Sequence, residues 1–294
     1  MKATWIGCST LWALASLMTG CSSGPEASHG EVSSASTPRE VQLIAQEGDT
    51  SAEPQLTEAA KLFFVSKTSD GYHYAIDELN TATGTQYVGA IDLGRAGCNS
   101  ESLEAALDTP RTVAALGTIR GETFVALAVY RALPDLAATA ADSYFQARPV
   151  RGGDVATEVN LGQQTEIARV DFSKARVPFL DQTWLSARVL EGGALVSGSV
   201  SQESAALVAT TIYLPVLDGA KCAPAGGTCG EGSVATYTRD SSRCLAFNGC
   251  TTIGVCPLYI PLCDPGYKLA VWPATHGCPA WACDPAFDPA PESR

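Results

Sequence analysis

Eight cysteines between positions 222 and 283 constrain the fold of this chain more than any other feature. They form two sets of four with nearly equal spacing, C-x6-C-x14-C-x5-C and then C-x6-C-x14-C-x4-C. Segments this short cannot bury enough apolar surface to be stable without crosslinks. The spacing therefore predicts two small disulfide-rich modules in a tail spanning residues 219–294. The cysteines are Cys222, Cys229, Cys244 and Cys250 in the first module, and Cys256, Cys263, Cys278 and Cys283 in the second.

The spacing does not determine which cysteines pair. Each module allows three pairings if it closes on itself, whereas eight cysteines taken together allow 105. Zinc binding is the alternative use of such a cluster, but the C-x2-C pairs typical of zinc sites do not occur in the tail. An exported chain meets an oxidising compartment, so disulfides are favoured.

The N-terminus has the pattern of an export signal. Residues 1–20 combine one positive side chain, Lys2, with a short apolar core and small residues at the end. Residues 17–21, LMTGC, resemble a bacterial lipobox, and this resemblance implies that Cys21 receives lipid and becomes the new N-terminus. Ser22 after that cysteine implies the outer membrane in the Gram-negative pattern. An ordinary cleaved signal peptide is the alternative.

A tether is predicted between the lipid and the folded part. Residues 21–57 are rich in Ser, Gly, Glu, Pro, Thr and Ala, and such a segment buries too little apolar surface to order itself. A flexible coil of this length spans about 30–36 Å. The formal net charge of −12 argues against nucleic acid and anionic lipid surfaces as partners.

Residues 58–218 contain one pattern twice, in stretches of about 60–135 and 143–218. The matched positions keep the same order along both stretches, which is hard to obtain by chance. They could mark a duplicated ligand site, but turn, cap and packing residues are the favoured interpretation. The pairs are Asn80 with Asn160, Asp92 with Asp171, Gly117 with Gly198, Tyr130 with Tyr213, and Asp135 with Asp218.

Each copy is predicted to be a set of short strands around one helix. In the first copy, alternation and β-branched content predict strands near 62–67, 72–77, 86–92, 113–120 and 123–132, with a helix at 100–107. In the second, Asp181 should cap a helix that buries Trp184, Leu185 and Val189 and ends at Gly192-Gly193. The predicted fold is α+β: two tandem antiparallel sheet-plus-helix repeats forming one composite domain, followed by the tail.

Four segments of this region resemble a family of unknown function found in bacterial secreted proteins and lipoproteins. They are LFFVSK, YVGAIDLGRAG, ARVDFSKA and LVATTIYL, within residues 60–217. The resemblance implies no activity. In the tail, CPLYIPLCDPG and CGEGSVATY are weakly similar to Kazal-type protease inhibitors, and CDPGYKLAVWPATHGCP is similar to antistasin-type repeats, in which Trp281 takes the place of a cysteine.

Few residues suggest catalysis. The sequence has no G-x-S-x-G, P-loop, H-E-x-x-H or EF-hand motif, and it identifies no metal or cofactor site. His73 and Asp77 could form a pair on one strand face, although a solvated pair is the simpler interpretation. Glu101 with Glu104 suits the start of a helix. Cys98 is the one candidate reactive thiol.

These observations favour a non-enzymatic binding or interaction protein. The predicted partners are a membrane, reached through the lipid on Cys21, and an exported protein or envelope component. Two alternatives remain open. One is protease inhibition by the tail, and the other is an uncharacterised secreted hydrolase that uses His73 or acidic side chains.

Overall fold

The computed structural model describes residues 59–71, 73–98, 101–136, 142–191, 193–216 and 222–288. The predicted signal, Cys21 and the predicted tether up to residue 57 lie outside the described residues. Within the described ranges, no helix is long and apolar enough to cross a membrane.

A twelve-stranded, mostly antiparallel sheet and two short helices make up the described residues before position 217. The order of four strands, one helix and two strands occurs twice. The elements are β1 (Lys61–Lys67), β2 (Tyr74–Glu78), β3 (Gln86–Val88), β4 (Ala90–Asp92), α1 (Glu101–Leu107), β5 (Val113–Arg120), β6 (Thr123–Ala132), β7 (Ser143–Val150), β8 (Gly153–Glu158), β9 (Gln164–Ile167), β10 (Arg169–Asp171), α2 (Gln182–Leu190), β11 (Leu195–Ser201) and β12 (Ala206–Pro215).

Two short parallel pairings change the predicted antiparallel arrangement. The predicted strand 86–92 is broken at Gly89 into β3, which pairs with β2, and β4, which runs parallel to β6. Since β2, β1, β5 and β6 are successive neighbours, the hydrogen-bonded strands close into a ring. We call residues 61–132 the first barrel. Strands β7–β12 close in the same way through the parallel pair β10–β12, and residues 143–215 are the second barrel.

The two barrels are joined by the antiparallel pair β6–β12. An apolar cluster with residues from both barrels lies between them. Along β1, Phe63 and Val65 point into the core of the first barrel, whereas Leu62 and Phe64 belong to a cluster that includes residues of both barrels. This explains why β1 is apolar at successive positions: both of its faces are buried. The shared cluster is Leu62, Phe64, Leu79, Ala114, Ala132, Tyr144, Val159, Leu195 and Tyr213.

The helices cover the barrels with different side chains. Helix α1 contributes Leu103, Ala106 and Leu107 to the first core. Helix α2 contributes three side chains of larger total volume, Trp184, Leu185 and Val189, and its predicted cap is present. Asp181 accepts a hydrogen bond from the Trp184 backbone N–H at 3.1 Å.

The tail consists of two antiparallel hairpins. They are β13 (Val234–Arg239) with β14 (Leu245–Thr251), and β15 (Tyr267–Pro273) with β16 (Pro279–Pro285). All eight cysteines form disulfides, and both modules pair the first cysteine with the third and the second with the fourth. The bonds are Cys222–Cys244, Cys229–Cys250, Cys256–Cys278 and Cys263–Cys283.

Two matched glycines lie at strand irregularities where a side chain cannot fit. The register of β5–β6 shifts at Gly117, and that of β11–β12 shifts at Gly198. A Cβ atom on Gly117 would lie 2.3 Å from the carbonyl oxygen of Val125, and one on Gly198 would lie 2.0 Å from that of Val208. Only glycine, which has no Cβ atom, lets the two strands lie this close at these positions.

The matched asparagines exchange hydrogen bonds between the barrels. Asn80 donates to the carbonyl oxygens of Tyr144 at 2.8 Å and Val159 at 3.0 Å, and accepts from the Tyr144 N–H at 2.9 Å. Asn160 makes the reciprocal set with Leu62 and Leu79. Both residues have left-handed backbone, with φ of 59° and 62°.

We expect Asn80→Gly to lower the free energy of unfolding by about 1–3 kcal/mol, because three backbone groups lose their partner while the left-handed backbone stays permitted. Asn80→Ala should cost about 1 kcal/mol more through backbone strain. Denaturant unfolding measures both. Asn248→Ala, on the exposed face of β14, is the control and should change stability by less than about 0.5 kcal/mol. Unchanged stability in Asn80→Gly would contradict the inter-barrel role.

Candidate functional site

The most unusual surface is a loop between the two tail hairpins, residues 252–263, which we call the apolar loop. It contains no helix or strand. Leu258 and Leu262 are almost fully exposed to solvent, with relative accessibilities of 102% and 91%. Large apolar side chains in contiguous exposure mark interaction sites on soluble proteins. The exposed apolar residues of the loop are Ile253, Val255, Leu258, Tyr259, Ile260 and Leu262.

Covalent and backbone constraints limit the conformations of the apolar loop. Pro257 and Pro261 restrict φ and have no N–H to donate. Disulfides attach Cys256 to Cys278 and Cys263 to Cys283, so the loop is tied to the second hairpin on both sides of Leu258. A loop held in one conformation loses less entropy on binding than a free segment.

Tyr259 of the apolar loop contacts two aromatic rings outside the loop. The Tyr259 ring lies 6.3 Å from the Phe179 ring and 6.1 Å from the Trp281 ring, measured between centroids. Tyr259 thus touches the protein through its ring but stays exposed, as do its neighbours Leu258 and Ile260. Trp281, at the position of a cysteine in antistasin-type repeats, is a packing partner of the loop.

The loop is uncharged within an acidic protein. No Asp, Glu, Lys, Arg or His occurs from Cys244 to Cys263, although the chain carries a formal net charge of −12. The charged neighbours are Arg243 before this stretch and Asp264 after it. The surface can thus lose its water on binding without desolvating a charge.

A buried charge cluster fixes the tail against the second barrel. Arg239 pairs with Asp284 and, at 3.6 Å, with the helix cap Asp181. Arg243 lies 3.8 Å from Asp284 and 2.9 Å from Asp288. The side chains of both arginines and of Asp284 are less than 5% exposed. The cluster joins both hairpins to α2.

Tryptophan rings complete the surroundings of the two guanidinium groups. The Arg243 guanidinium lies 4.2 Å from the centre of the Trp184 ring, and that of Arg239 lies 5.2 Å from the Trp272 ring. These distances suit cation–π attraction, which strengthens when water is removed. Burial lowers the pKa of Arg243, while Asp288 and Asp284 oppose that shift. Burial also raises the pKa of Asp288.

Core packing adds to this attachment. Tyr267 and Cys283 of the second hairpin belong to the core of the second barrel. The Tyr267 hydroxyl donates to the Pro134 carbonyl oxygen at 3.1 Å, and the Cys283 N–H donates to that of Phe179 at 2.9 Å. The apolar loop is therefore presented from a rigid support.

The catalytic candidates lie apart from the loop. His73 precedes β2, and its Nδ1 is 3.1 Å from the carboxylate of Asp70, with both side chains exposed. The proposed partner Asp77 instead accepts a hydrogen bond from the Thr85 hydroxyl. His73 and Asp70 line a shallow depression that is open to solvent.

The remaining candidates have structural surroundings or lie outside the described residues. Glu104 is exposed on α1, and the side chain of Glu101 is not among those described. Cys98 is half-buried and packs against the first core. In the described part of the chain, no three His, Cys, Asp or Glu side chains are grouped so as to hold a metal ion. The predicted lipidation site Cys21 lies outside the described residues.

Three of the matched aspartates and tyrosines form hydrogen bonds within the protein. Asp92 accepts from the Gly94 N–H and Asp171 from the Ser173 N–H, both at 2.9 Å. This backbone hydrogen bond is the first cause of a lowered pKa at Asp171. The Tyr213 hydroxyl donates to the Arg111 carbonyl oxygen at 2.9 Å, and Tyr130 packs at the edge of the shared cluster. Asp135 has left-handed backbone, and Asp218 lies outside the described residues.

One comparison with known proteins is informative. The chain is 32% identical over 244 residues to an uncharacterised protein of Dictyostelium discoideum, in a match covering 73% of this chain and 81% of the relative. The chain belongs to the same family as that protein. No family model matches the chain, and no solved structure matches it. Membership of this family carries no activity, and the resemblance to bacterial secreted proteins stays a prediction.

Sequence reasoning located the disulfide modules but not the apolar loop or the charge cluster. A signal for the loop was present, since a charge-free stretch with two prolines lies between cysteines in an acidic chain. No comparable signal joins Arg239 to Asp284, because 45 residues separate them.

Asp284→Asn should lower the free energy of unfolding by about 3–5 kcal/mol, because two buried guanidinium groups lose their shared counter-charge. Asp108→Asn is the matched control: Asp108 pairs with Lys67 at 3.4 Å on the surface, where a salt bridge contributes about 0–1 kcal/mol. Chemical denaturation of both oxidised variants provides the measurement. Equal losses in the two variants would show that the cluster does not hold the tail.

Proposed function

We propose that this protein is an exported, non-enzymatic binding protein that engages a partner protein through the apolar loop. The observation that carries the proposal is the exposure of Leu258, Ile260 and Leu262 on a crosslinked segment supported by a buried charge cluster. Exposed apolar side chains on a rigid support are typical of the central anchors of protein interfaces. The net charge of −12 on the whole chain disfavours anionic lipid as the partner.

The binding proposal is tested by placing a photocrosslinking residue at position 258. Position 161, where Leu161 is 46% exposed at a turn of the second barrel, is the control. We expect one discrete crosslinked protein at 258 and none at 161. After identification and purification of that protein, Leu258→Asp with Ile260→Asp should weaken its binding at least tenfold, and Leu161→Asp should not. Equal affinities of the unaltered protein, the Leu258→Asp/Ile260→Asp variant and the Leu161→Asp variant for the crosslinked protein would overturn the proposal.

Protease inhibition is a second candidate that the loop geometry favours. An inhibitor that occupies a protease cleft presents an extended segment with one side chain directed into the specificity pocket. Leu258 could supply such a side chain, because it is fully exposed and lies between two disulfide-bonded cysteines, Cys256 and Cys263. The large apolar side chain of Leu258 favours proteases that cleave after large apolar residues.

Leu258→Arg should transfer inhibition from proteases specific for apolar residues to proteases specific for basic residues, because the pocket reads the side chain at this position. Residual activity of a serine-protease panel, titrated with the oxidised protein, is the measurement. Ile253→Arg, in the same loop but before Cys256, is the control and should leave the specificity unchanged. Rapid cleavage of the loop, or no inhibition across the panel, would count against this candidate.

The export of the protein and its lipid anchor are part of the same proposal. The LMTGC segment and the tether sequence up to residue 57 support attachment through Cys21 at the outer membrane, with the folded part held at a distance. Intact mass of the purified mature chain should show acylation and eight oxidised cysteines. Cys21→Ser should remove the acyl mass and release the protein from membranes. An unmodified N-terminus at another position would refute the anchor.

A tandem duplication is the proposed origin of residues 58–218, with the cysteine modules as a further doubled unit. Support comes from the repeated element order, the two matched bulges at Gly117 and Gly198, and the reciprocal bonds of Asn80 and Asn160. The internal partners of these residues favour structural roles over a duplicated ligand site.

A further inference from the structure

The first barrel contains a pocket that neither the apolar loop nor the charge cluster involves. It has a volume of about 100 Å³ and lies between helix α1 and the inner faces of the barrel strands. Most of its lining side chains are apolar, and Lys67, Tyr74 and Glu104 also line it. The apolar lining includes Val65, Leu103, Leu107, Val113, Ala115 and Val129.

In the second barrel, large side chains fill the space beneath helix α2. There α2 buries Trp184, Leu185 and Val189, each 0% exposed, and Arg243 covers the Trp184 ring. Among its described side chains, helix α1 contributes Leu103, Ala106 and Leu107 to the first core and no aromatic ring. The pocket lies against Leu103 and Leu107 of this helix.

The chemistry of the lining selects one class of occupant. The described wall side chains carry no buried polar atom left without a partner, so a charged or strongly polar ligand would lose its hydration without compensation. Water is also poorly held, because it needs several polar partners. An apolar cavity of ~150 Å³ in another protein stays dry and binds benzene. We propose that the first barrel binds a small, uncharged aromatic molecule beneath α1.

Methyl NMR of the full mature chain, with disulfides intact, tests this inference with benzene as the probe. We expect saturable shifts of the Leu103, Leu107, Val113 and Val129 methyl groups, and no comparable shifts of Val189 in the second barrel. Benzoate, which adds a charge to the same ring, should bind at least tenfold more weakly. Absence of shifts up to the solubility of benzene, or equal binding of benzoate, would overturn the inference.

Variants separate occupation of the pocket from general adsorption. Ala115→Leu fills the cavity and should weaken benzene binding at least tenfold, and Val129→Ile is the alternative if Ala115→Leu does not fold. Glu203→Gln, at an exposed turn of the second barrel that does not line the pocket, is the control and should bind benzene like the unaltered protein. Benzene binding that survives both filling variants would place the ligand elsewhere and contradict the proposal. The result is independent of whether the apolar loop binds a protein.

Discussion

The buried pairing of Arg239 and Arg243 with Asp284 is the interaction on which the arrangement of the tail depends. Two guanidinium groups are withdrawn from water here, and carboxylates and tryptophan faces take the place of part of their hydration. The partners come from both hairpins and from the cap of α2. One cluster therefore determines how the two modules meet each other and how they meet the second barrel.

Crosslinks and core packing act together in this tail. A hairpin held only by disulfides has little apolar surface to bury, but Cys283 is both a disulfide partner and a member of the core of the second barrel. The crosslink to Cys263 thereby connects the end of the apolar loop directly to a packed core. Exposed leucines on such a support keep a defined conformation, whereas the same residues on a free segment would collapse onto any apolar surface.

Local pattern accounts for the parts of the fold that were predictable. The alternation of Tyr74 and Ile76 with Ala75 and Asp77 in β2, the Asp181 cap and the doubled cysteine spacing all depend on neighbours in sequence, so one chain is enough to recognise them. The closure of each barrel depends on three-residue parallel pairings with distant strands, which leave no periodic signal. The apolar loop was missed for a related reason. Hydropathy predicts burial for leucine and isoleucine, and whether anything covers them is decided by the tertiary structure.

The two barrels suggest where function resides. Residues common to both, such as Asn80 and Asn160 or Gly117 and Gly198, have their hydrogen-bonding or steric requirements met inside the protein, so they leave nothing for a ligand. Accessible apolar surface occurs where the two barrels differ. The second barrel supports the tail with its exposed apolar loop, and the first barrel has a pocket beneath helix α1, whose buried side chains are smaller than those of α2. The internal hydrogen bonds maintain the architecture that the two barrels share, whereas the elements that cover each barrel differ and leave different apolar surfaces accessible. A search for the function of this family should therefore concentrate on the positions at which the two barrels are unlike.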